Sequence, residues 1–503
     1  MSDHLPSGEA TAGEPQELKR ALSQRHLQLI AIGGAIGTGL FFGSGKTIST
    51  AGPMILVLYL IIGSFLFFVM RAMGELLLSN FAYHTFADFA TDLIGPWAGF
   101  YVGWTYWVCW VIIGVADSLV IAAYLEFWLG KDYPHYIAVI TTIIVLISLN
   151  MVAVSVFGEM EFWFAIIKVV TIIALIIAGI YLIVTGFTSP TGEVASINNL
   201  FKYGFWPKAG IMGVLAAVQI CVYSFQGIEM VGTAAAETSN PEKNLPDAIN
   251  TIPVRIILFY VLSLAVIMCV EPWINIEPGR SPFTTMFSFA GIAGAAGIMQ
   301  FVVTTSAASS ANAGVYSTSR LMYGMSRDHL APQIFAKLNS RGVPKNALML
   351  TLICLSPAVA LSFSESMAKA FDIVAGASAV LYITVWVLIM ICYLQYRKKH
   401  PDRHAESKFP MLGGIPATYA TLVFFAVLFA ILAVDPDARK TLIALPIWFI
   451  FMWVMYKWIH ARFPEGHDLD FDILREEAHA KVMADTAAVE AAKEAKRKNA
   501  ENT

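Results

Sequence analysis

Charge is scarce in this chain: 14% of its 503 residues are Asp, Glu, Lys or Arg, against about 25% in a typical soluble domain. That shortage excludes a protein whose whole surface meets water. Cysteine is scarcer still. Cys109, Cys221, Cys269, Cys354 and Cys392 lie in or beside apolar runs and show no CxxC or His-paired spacing. Neither a disulfide framework nor a zinc site is expected, and no metal is assigned. No basic domain accompanies the net charge of −3, so nothing points to nucleic acid. The first 26 residues hold no apolar segment, so no cleavable signal peptide is expected and the first crossing must direct insertion. A GxxxxGK[ST] loop is missing too; GSGK at 43–46 has the wrong spacing, which leaves ATP-driven chemistry unsupported. Asp/Glu-His-Ser sets with catalytic spacing are not evident. Neither an enzyme nor a bound cofactor is expected.

What fills the chain instead is apolar length. Hydrophobic residues make up 57% of it. Runs of the ~20 residues needed to cross a ~30 Å hydrocarbon core recur from residue 27 to 462. The spacing predicts an all-α polytopic membrane protein with twelve spans. They fall near 27–50, 53–78, 97–128, 135–156, 160–186, 211–236, 248–274, 284–322, 346–364, 368–394, 414–434 and 440–462. The third and eighth are long enough to tilt or to extend past the bilayer. An N-terminal tail (1–26), a transmembrane domain (27–462) and a C-terminal tail (463–503) follow. The tail is rich in Ala, Glu and Lys and reads as a frayed segment or a solvated helix without a transport role. Basic loop residues number sixteen on the side of the termini and eight on the other, which places both termini in the cytoplasm.

The first span, HLQLIAIGGAIGTGLFFGSGKTIS, carries Gly33, Gly34, Gly37 and Gly39 at its middle. Each glycine loosens a helix by about 1 kcal/mol relative to alanine. Loosened backbone survives in lipid only where protein or a wet cavity satisfies it. The sixth span has a second interruption at Gly227, beside Ser224, Gln226 and Glu229. Two discontinuities five spans apart are what an inverted repeat of five plus five predicts, with a site at the midplane. Glycines also serve close helix packing, so either break alone is weak evidence. A helix restarting near Gly37, Thr38 and Gly39 offers amide donors to a carboxylate. Freed carbonyls around Tyr223, Ser224, Phe225 and Gln226 can accept from an ammonium. The pair of sites describes an α-amino acid, with Tyr223 and Phe225 as covers or as ordinary packing.

The segments IAIGGAIGTGLFFGSG (30–45), RAMGELL (71–77), FGEMEFWFAIIKV (157–169), FQGIEMVGTAAAETSNPEKNLPDAI (225–249) and SSANAGVYSTSR (309–320) resemble the amino acid–polyamine–organocation superfamily, in its bacterial amino acid transporter branch. The similarity runs from about residue 18 to 460. It implies the leucine-transporter fold, ten core helices in two inverted halves plus two more, with helices 1 and 6 broken. It implies that Ala35, Ile36, Gly37, Thr38 and Gly39 hold the substrate carboxylate and that carbonyls of Tyr223, Ser224 and Gln226 meet the ammonium. The gating aromatic falls on Tyr223 or Phe225, and Glu229 matches the acid after the sixth-span break. The resemblance further implies proton-coupled import of small neutral amino acids (glycine, alanine and serine, D-isomers included) across the bacterial inner membrane by alternating access. Exchange, another amino acid substrate, and a channel or receptor of the same fold are the alternatives. The expected partners are the amino acid, a proton and the bilayer.

Charges within the spans add to this. Lys168 lies about two turns in from Glu161 in the fifth span, far for snorkelling, and a lysine in a helix centre costs at least ~2.5 kcal/mol. In similar transporters a lysine here takes the place of a sodium ion and carries the coupling proton; the other reading is a structural ammonium. Asp117, deep in the third span, either lines the pocket, pairs with a charge from another span, or is a protonated carboxyl. Arg71 and Glu75, spaced i, i+4, are expected to pair at the cytoplasmic end of the second span. Ser309, Ser310 and Asn312 of the eighth span either bond to the first span or tie helices together more generally.

Overall fold

The computed structural model describes residues 36–462 except 84, 131, 152–153, 236–239, 290–293, 340–341, 365 and 435, and scattered residues between 471 and 487. Of the expected first break and carboxylate site, Gly33, Gly34 and Ala35 lie outside the described residues, whereas Ile36, Gly37, Thr38 and Gly39 lie within them. Among the described residues the regular structure is helical, apart from one isolated bridge between Thr188 and Val194.

After an extended Gly37 come α1 (Thr38–Phe41) and α2 (Gly43–Ala51), separated by a turn at Phe42. Then follow α3 (Met54–Ser79), α4 (Phe86–Leu93), α5 (Pro96–Leu129), α6 (His135–Asn150) and α7 (Val154–Val184). The second half holds α8 (Ile211–Tyr223), α9 (Met230–Ala235), α10 (Pro241–Val270) and α11 (Pro282–Phe289). It continues with α12 (Ala295–Arg327), α13 (Lys345–Leu361), α14 (Met367–Lys399), α15 (Gly414–Val434) and α16 (Pro436–Arg462). Seven of these helices, α3, α5, α7, α10, α14, α15 and α16, are long and apolar enough to cross a membrane.

Several expected boundaries move. The eighth span, expected at 284–322, is two helices, α11 and α12, with Gly294 at φ +79 capping the start of α12. Its apolar count therefore came from two separate pieces. A turn at 354–356 breaks α13, and a π-helical stretch, Ile256–Leu262, interrupts the middle of α10.

The packing is inverted relative to a soluble protein. Large apolar side chains such as Ile177, Tyr181, Val423, Ile447 and Ile450 are largely exposed around the outside, as a hydrocarbon solvent requires. Polar and charged side chains are inside: Thr38, Asp117, Glu161, Lys168, Glu229, Ser309 and Asn312 are all buried. The central helices are α5 and α14; 78% of each one's most apolar stretch is buried, against 28% for α15. Both α12 and α14 pack along α5. Small residues permit this: a Cβ on Gly314 of α12 would lie 2.4 Å from the Trp110 ring of α5, the close approach that small residues allow between membrane helices.

At the opposite end from α2, α4 opens on a capping box: the Ala87 N–H donates to Thr85 Oγ1 and the Thr85 N–H donates to Asp88 Oδ2 at 2.8 Å. Part of the C-terminal tail packs here rather than fraying. Asn80 Nδ2 donates to the Phe471 carbonyl at 3.0 Å, and the buried Phe471 ring lies 5.6 Å from that of Tyr83.

Candidate functional site

The sixth crossing is interrupted, as its glycine and polar residues predict. α8 stops at Tyr223, residues 224–229 form consecutive turns, and α9 resumes at Met230. Gly227 sits in those turns at φ +94, a conformation open to glycine and costly for other residues. The helical ladder gives way to three-residue turns: Gln226 N–H reaches the Tyr223 carbonyl at 3.1 Å and Ile228 N–H the Phe225 carbonyl at 3.3 Å.

α1 crosses this interruption. A Cβ on Gly39 would lie 2.7 Å from Ser224 Cα and 2.9 Å from the Tyr223 ring. Only glycine lets the two main chains meet at this point. The N–H groups of Thr38, Gly39 and Leu40 belong to a first helical turn and so have no acceptor within their own helix. Gly37 supplies no side-chain cap.

Side chains tie this crossing to α5. Thr38 Oγ1 donates to Asp117 Oδ1 at 2.7 Å, and the same hydroxyl lies 3.2 Å from the Tyr223 hydroxyl. Asp117 is fully buried, and its Oδ2 has no partner among the described residues. Of the readings open for Asp117 from sequence, pairing with a charge from another span is not seen within 4 Å among the described residues; its bond is to Thr38 of α1.

The carbonyls assigned to an ammonium are partly engaged. Tyr223 O accepts from Gln226 N–H, and Ser224 O accepts from the Tyr260 hydroxyl at 2.8 Å. Each carbonyl keeps a second lone pair. Ser224 Oγ lies 3.1 Å from the Tyr59 hydroxyl.

Tyr223 and Phe225 separate. The Tyr223 ring stands edge-on to Phe371 of α14 at 5.5 Å, and Phe371 meets Phe42 at 5.1 Å. One residue beyond Phe371, Asp372 pairs with Lys46 of α2 at 2.8 Å. Phe225 instead packs between Tyr260 (4.8 Å) and Tyr59 (5.7 Å), in the α3–α10 wall. Tyr223 therefore faces Thr38, and Phe225 does not.

Gln226 and Glu229 point to a further group that sequence reading did not anticipate. Ser378 of α14 donates to Gln226 Oε1 at 2.8 Å, and the Tyr382 hydroxyl donates to Glu229 Oε1 at 2.8 Å. Gln226 Nε2 and Glu229 Oε2 have no partner among the described residues. Ser378 and Tyr382 are spaced i, i+4 on one helix face, the only sequence signal that could have revealed them.

Lys168 is buried and donates to Ser309 Oγ at 3.1 Å. Ser309 Oγ donates to Glu161 Oε2 at 2.7 Å, and Asn312 Nδ2 donates to Glu161 Oε1 at 3.2 Å. Asn150 of α6 donates to Asn312 Oδ1 at 2.7 Å. One turn before Ser309, Ser306 donates to the Ile36 carbonyl at 3.2 Å. Ser310 Oγ would be 3.8 Å from a Cβ on Gly37. The polar face of α12 thus meets both Lys168 and the start of α1, but the hydrogen bonds of Ser309 and Asn312 tie α12 to α7 and α6, and the bond to the first span comes from Ser306. Sequence reading used Glu161 only as a depth marker.

The expected Arg71–Glu75 pair does not form. Arg71 Nη1 donates to Asn250 Oδ1 at 3.0 Å, its Nη2 donates to the Pro410 carbonyl, and its guanidinium lies 3.6 Å over the Phe409 ring. Glu75 meets His404 Nδ1 at 2.5 Å and the Met411 N–H at 2.7 Å. Residues of the 400–413 segment outcompete the i, i+4 neighbour because they reach buried atoms.

Among the described residues no cluster of three His, Cys, Asp or Glu could hold a metal. A cavity of about 150 Å³ lies elsewhere, lined by Thr191, Glu271, Arg280 and Met286 among others.

A family model for the amino acid permeases matches residues 26–466. The chain is 50% identical to the D-serine/D-alanine/glycine transporter of Escherichia coli (strain K12) over 436 residues, covering 86% of this chain and 93% of that protein. It is 46% identical to the amino-acid permease AapA of Bacillus subtilis (strain 168), covering 88% of this chain and 96% of that one. With several crossing-length apolar helices around a charged interior, and with a match over most of its length, this chain belongs to the amino acid permease family.

Proposed function

We propose that this permease imports small neutral amino acids, glycine, alanine and serine with their D-isomers, by proton symport through alternating access in the bacterial cytoplasmic membrane. The observation that carries this reading is the contact of Gly39 with the main chain of Ser224. It brings first-turn amides from one crossing against the turns of another, so that donors for a carboxylate and acceptors for an ammonium face the same small space. The D-serine/D-alanine/glycine transporter, half identical over nearly its full length, supports the substrate class.

In this reading the twelve expected crossings form two inverted sets of five plus two, in the manner of the leucine transporter, with both termini cytoplasmic. Ala35, Ile36, Gly37, Thr38 and Gly39 hold the substrate carboxylate. Second lone pairs on the Tyr223, Ser224 and Gln226 carbonyls take the ammonium. Tyr223 is the aromatic cover, and Phe225 braces the wall behind it. The unpartnered Gln226 Nε2 and Glu229 Oε2 offer one donor and one acceptor, which suits a serine hydroxyl without excluding glycine or alanine. Asp117 reads the site through Thr38, and Lys168 carries the proton. Phe42, Phe371 and the Lys46–Asp372 pair close the outer side.

The test is uptake of radiolabelled glycine into proteoliposomes under an imposed inward proton gradient, competed by a panel of D- and L-amino acids. Saturable accumulation that D-serine and D-alanine compete, and that an uncoupler collapses, is expected. Uptake that does not saturate would indicate a channel. Accumulation that needs preloaded amino acid and ignores the gradient would indicate exchange.

A further inference from the structure

Glu161, Lys168, Ser309 and Asn312 are all buried where α7 meets α12. A buried charge whose counter-charge is removed destabilises a protein severely, so the question is what balances Lys168. Ser309 answers it by hydrogen arithmetic. Its hydroxyl has one hydrogen to give. That hydrogen goes to Glu161 Oε2 at 2.7 Å, so the oxygen receives from Lys168 Nζ at 3.1 Å. One hydroxyl thus bridges an ammonium and a carboxylate. The other Glu161 oxygen receives from Asn312, which Asn150 orients in turn. Both carboxylate oxygens meet donors, the environment that suits a fixed anion.

We propose that Glu161 is the permanent counter-charge of Lys168, held to it through Ser309, so that the proton-coupling unit is this bridged pair rather than the lysine alone. The inference rests on the reading of Lys168 as the proton carrier. When the ammonium gives its proton to water on the cytoplasmic side, the N–H electron pair stays on nitrogen and the amine becomes neutral. The pair passes from neutral to one negative charge, because Glu161 remains ionised. An uncompensated buried anion disfavours that state and draws a proton back once the site reopens to the outside. Asp117 is the second carboxylate within electrostatic reach of Lys168. Ser306, one turn from Ser309 on α12, donates to the Ile36 carbonyl at 3.2 Å. Glu161 is a positioning residue: it touches neither substrate nor the transferred proton.

The experiment compares Lys168→Met, Glu161→Gln, Glu161→Asp and the double variant Lys168→Met/Glu161→Gln in proteoliposomes. It reads folded yield, glycine counterflow without a proton gradient, and glycine accumulation with one. Glu161→Gln should lose accumulation at least tenfold and also lose folded yield, because it strands a buried ammonium. The neutral double variant should regain yield and counterflow while still failing to accumulate. Glu161→Asp should restore part of the accumulation. Wild-type accumulation by Glu161→Gln, or a double variant no better folded than either single one, would overturn the pairing. Wild-type accumulation by Lys168→Met would instead overturn the reading of the lysine, whatever Glu161 does.

Discussion

Thr38 gives its only hydroxyl hydrogen to Asp117, across 2.7 Å, at the first turn of α1. The second oxygen of the Asp117 carboxyl has no partner among the described residues. A hydrogen bond to a charged group contributes about 1.5–3 kcal/mol, and each 1.4 kcal/mol is about tenfold in an equilibrium constant. Thr38→Val keeps the shape and removes the donor. It should lower kcat/KM for glycine uptake by about 10- to 100-fold. Thr38→Ser, which keeps the hydroxyl, should stay close to wild type. If Val transports as well as Ser, Thr38 does not link the site to Asp117.

Gly39 is the point where two main chains meet, and its replacement can be compared with a glycine that meets nothing. An added Cβ at Gly39 lies 2.7 Å from backbone, whereas at Gly324 of α12 no atom lies within 4 Å. Backbone cannot swing aside as a flexible side chain can, so Gly39→Ala must separate α1 from the turns at 224–229. Glycine binding to purified Gly39→Ala should be lost while the protein still inserts. Gly324→Ala should bind normally and gain slightly in stability, since alanine favours a helix by up to ~1 kcal/mol over glycine. Equal binding by the two variants would remove the contact from the site.

The two variants also mark what could be seen in the sequence and what could not. Apolar run length located most of the helices, because lipid imposes a minimum length on each crossing. The sixth-span break was legible because Gly227 stands among polar residues inside an apolar run. Run length failed at 284–322, where α11 and α12 abut without a charge between them. The pairing of Thr38 with Asp117 spans 79 residues, and no local pattern encodes such a distance. Glu161 escaped for a related reason: its partners Ser309 and Asn312 come from α12, and only packing brings α12 to α7. Arg71 and Glu75 misled because the i, i+4 rule describes an isolated helix surface, while both side chains are buried against the 400–413 segment.

That segment supplies a stability prediction. Glu75 is fully buried and bonds to His404 and to the Met411 N–H. Glu75→Ala strands the Met411 N–H and releases His404 from α3. A buried group left unsatisfied costs about 1–3 kcal/mol, so the melting temperature in detergent should fall by several degrees. Glu75→Gln, which can still accept from Met411, should lose less. Proteolysis between residues 400 and 413 should quicken in the alanine variant. A variant that melts and cleaves like wild type would show that the segment is held without Glu75.

Asp328 gives the clearest pH dependence outside the crossings. It follows the last residue of α12 and lies near Asp88 in the first turn of α4. Burial raises its pKa well above the ordinary carboxylate range, and the Asp88 charge raises it further, while Arg327 acts in the opposite sense. In the unfolded chain a carboxylate of this kind titrates near 3.9. Between that value and the raised native one, the folded protein binds more protons than the unfolded one, so stability falls as pH rises through the window. Asp328→Asn removes the titrating group. The variant should therefore melt near wild type at about pH 3, where the carboxyl is largely protonated in both the folded and the unfolded chain, and progressively above it as pH rises toward neutrality. The check is a melting curve for each protein at several pH values in one detergent. A constant gap would mean that the substitution acts through packing rather than charge, and a gap that narrows with rising pH would reverse the assigned direction.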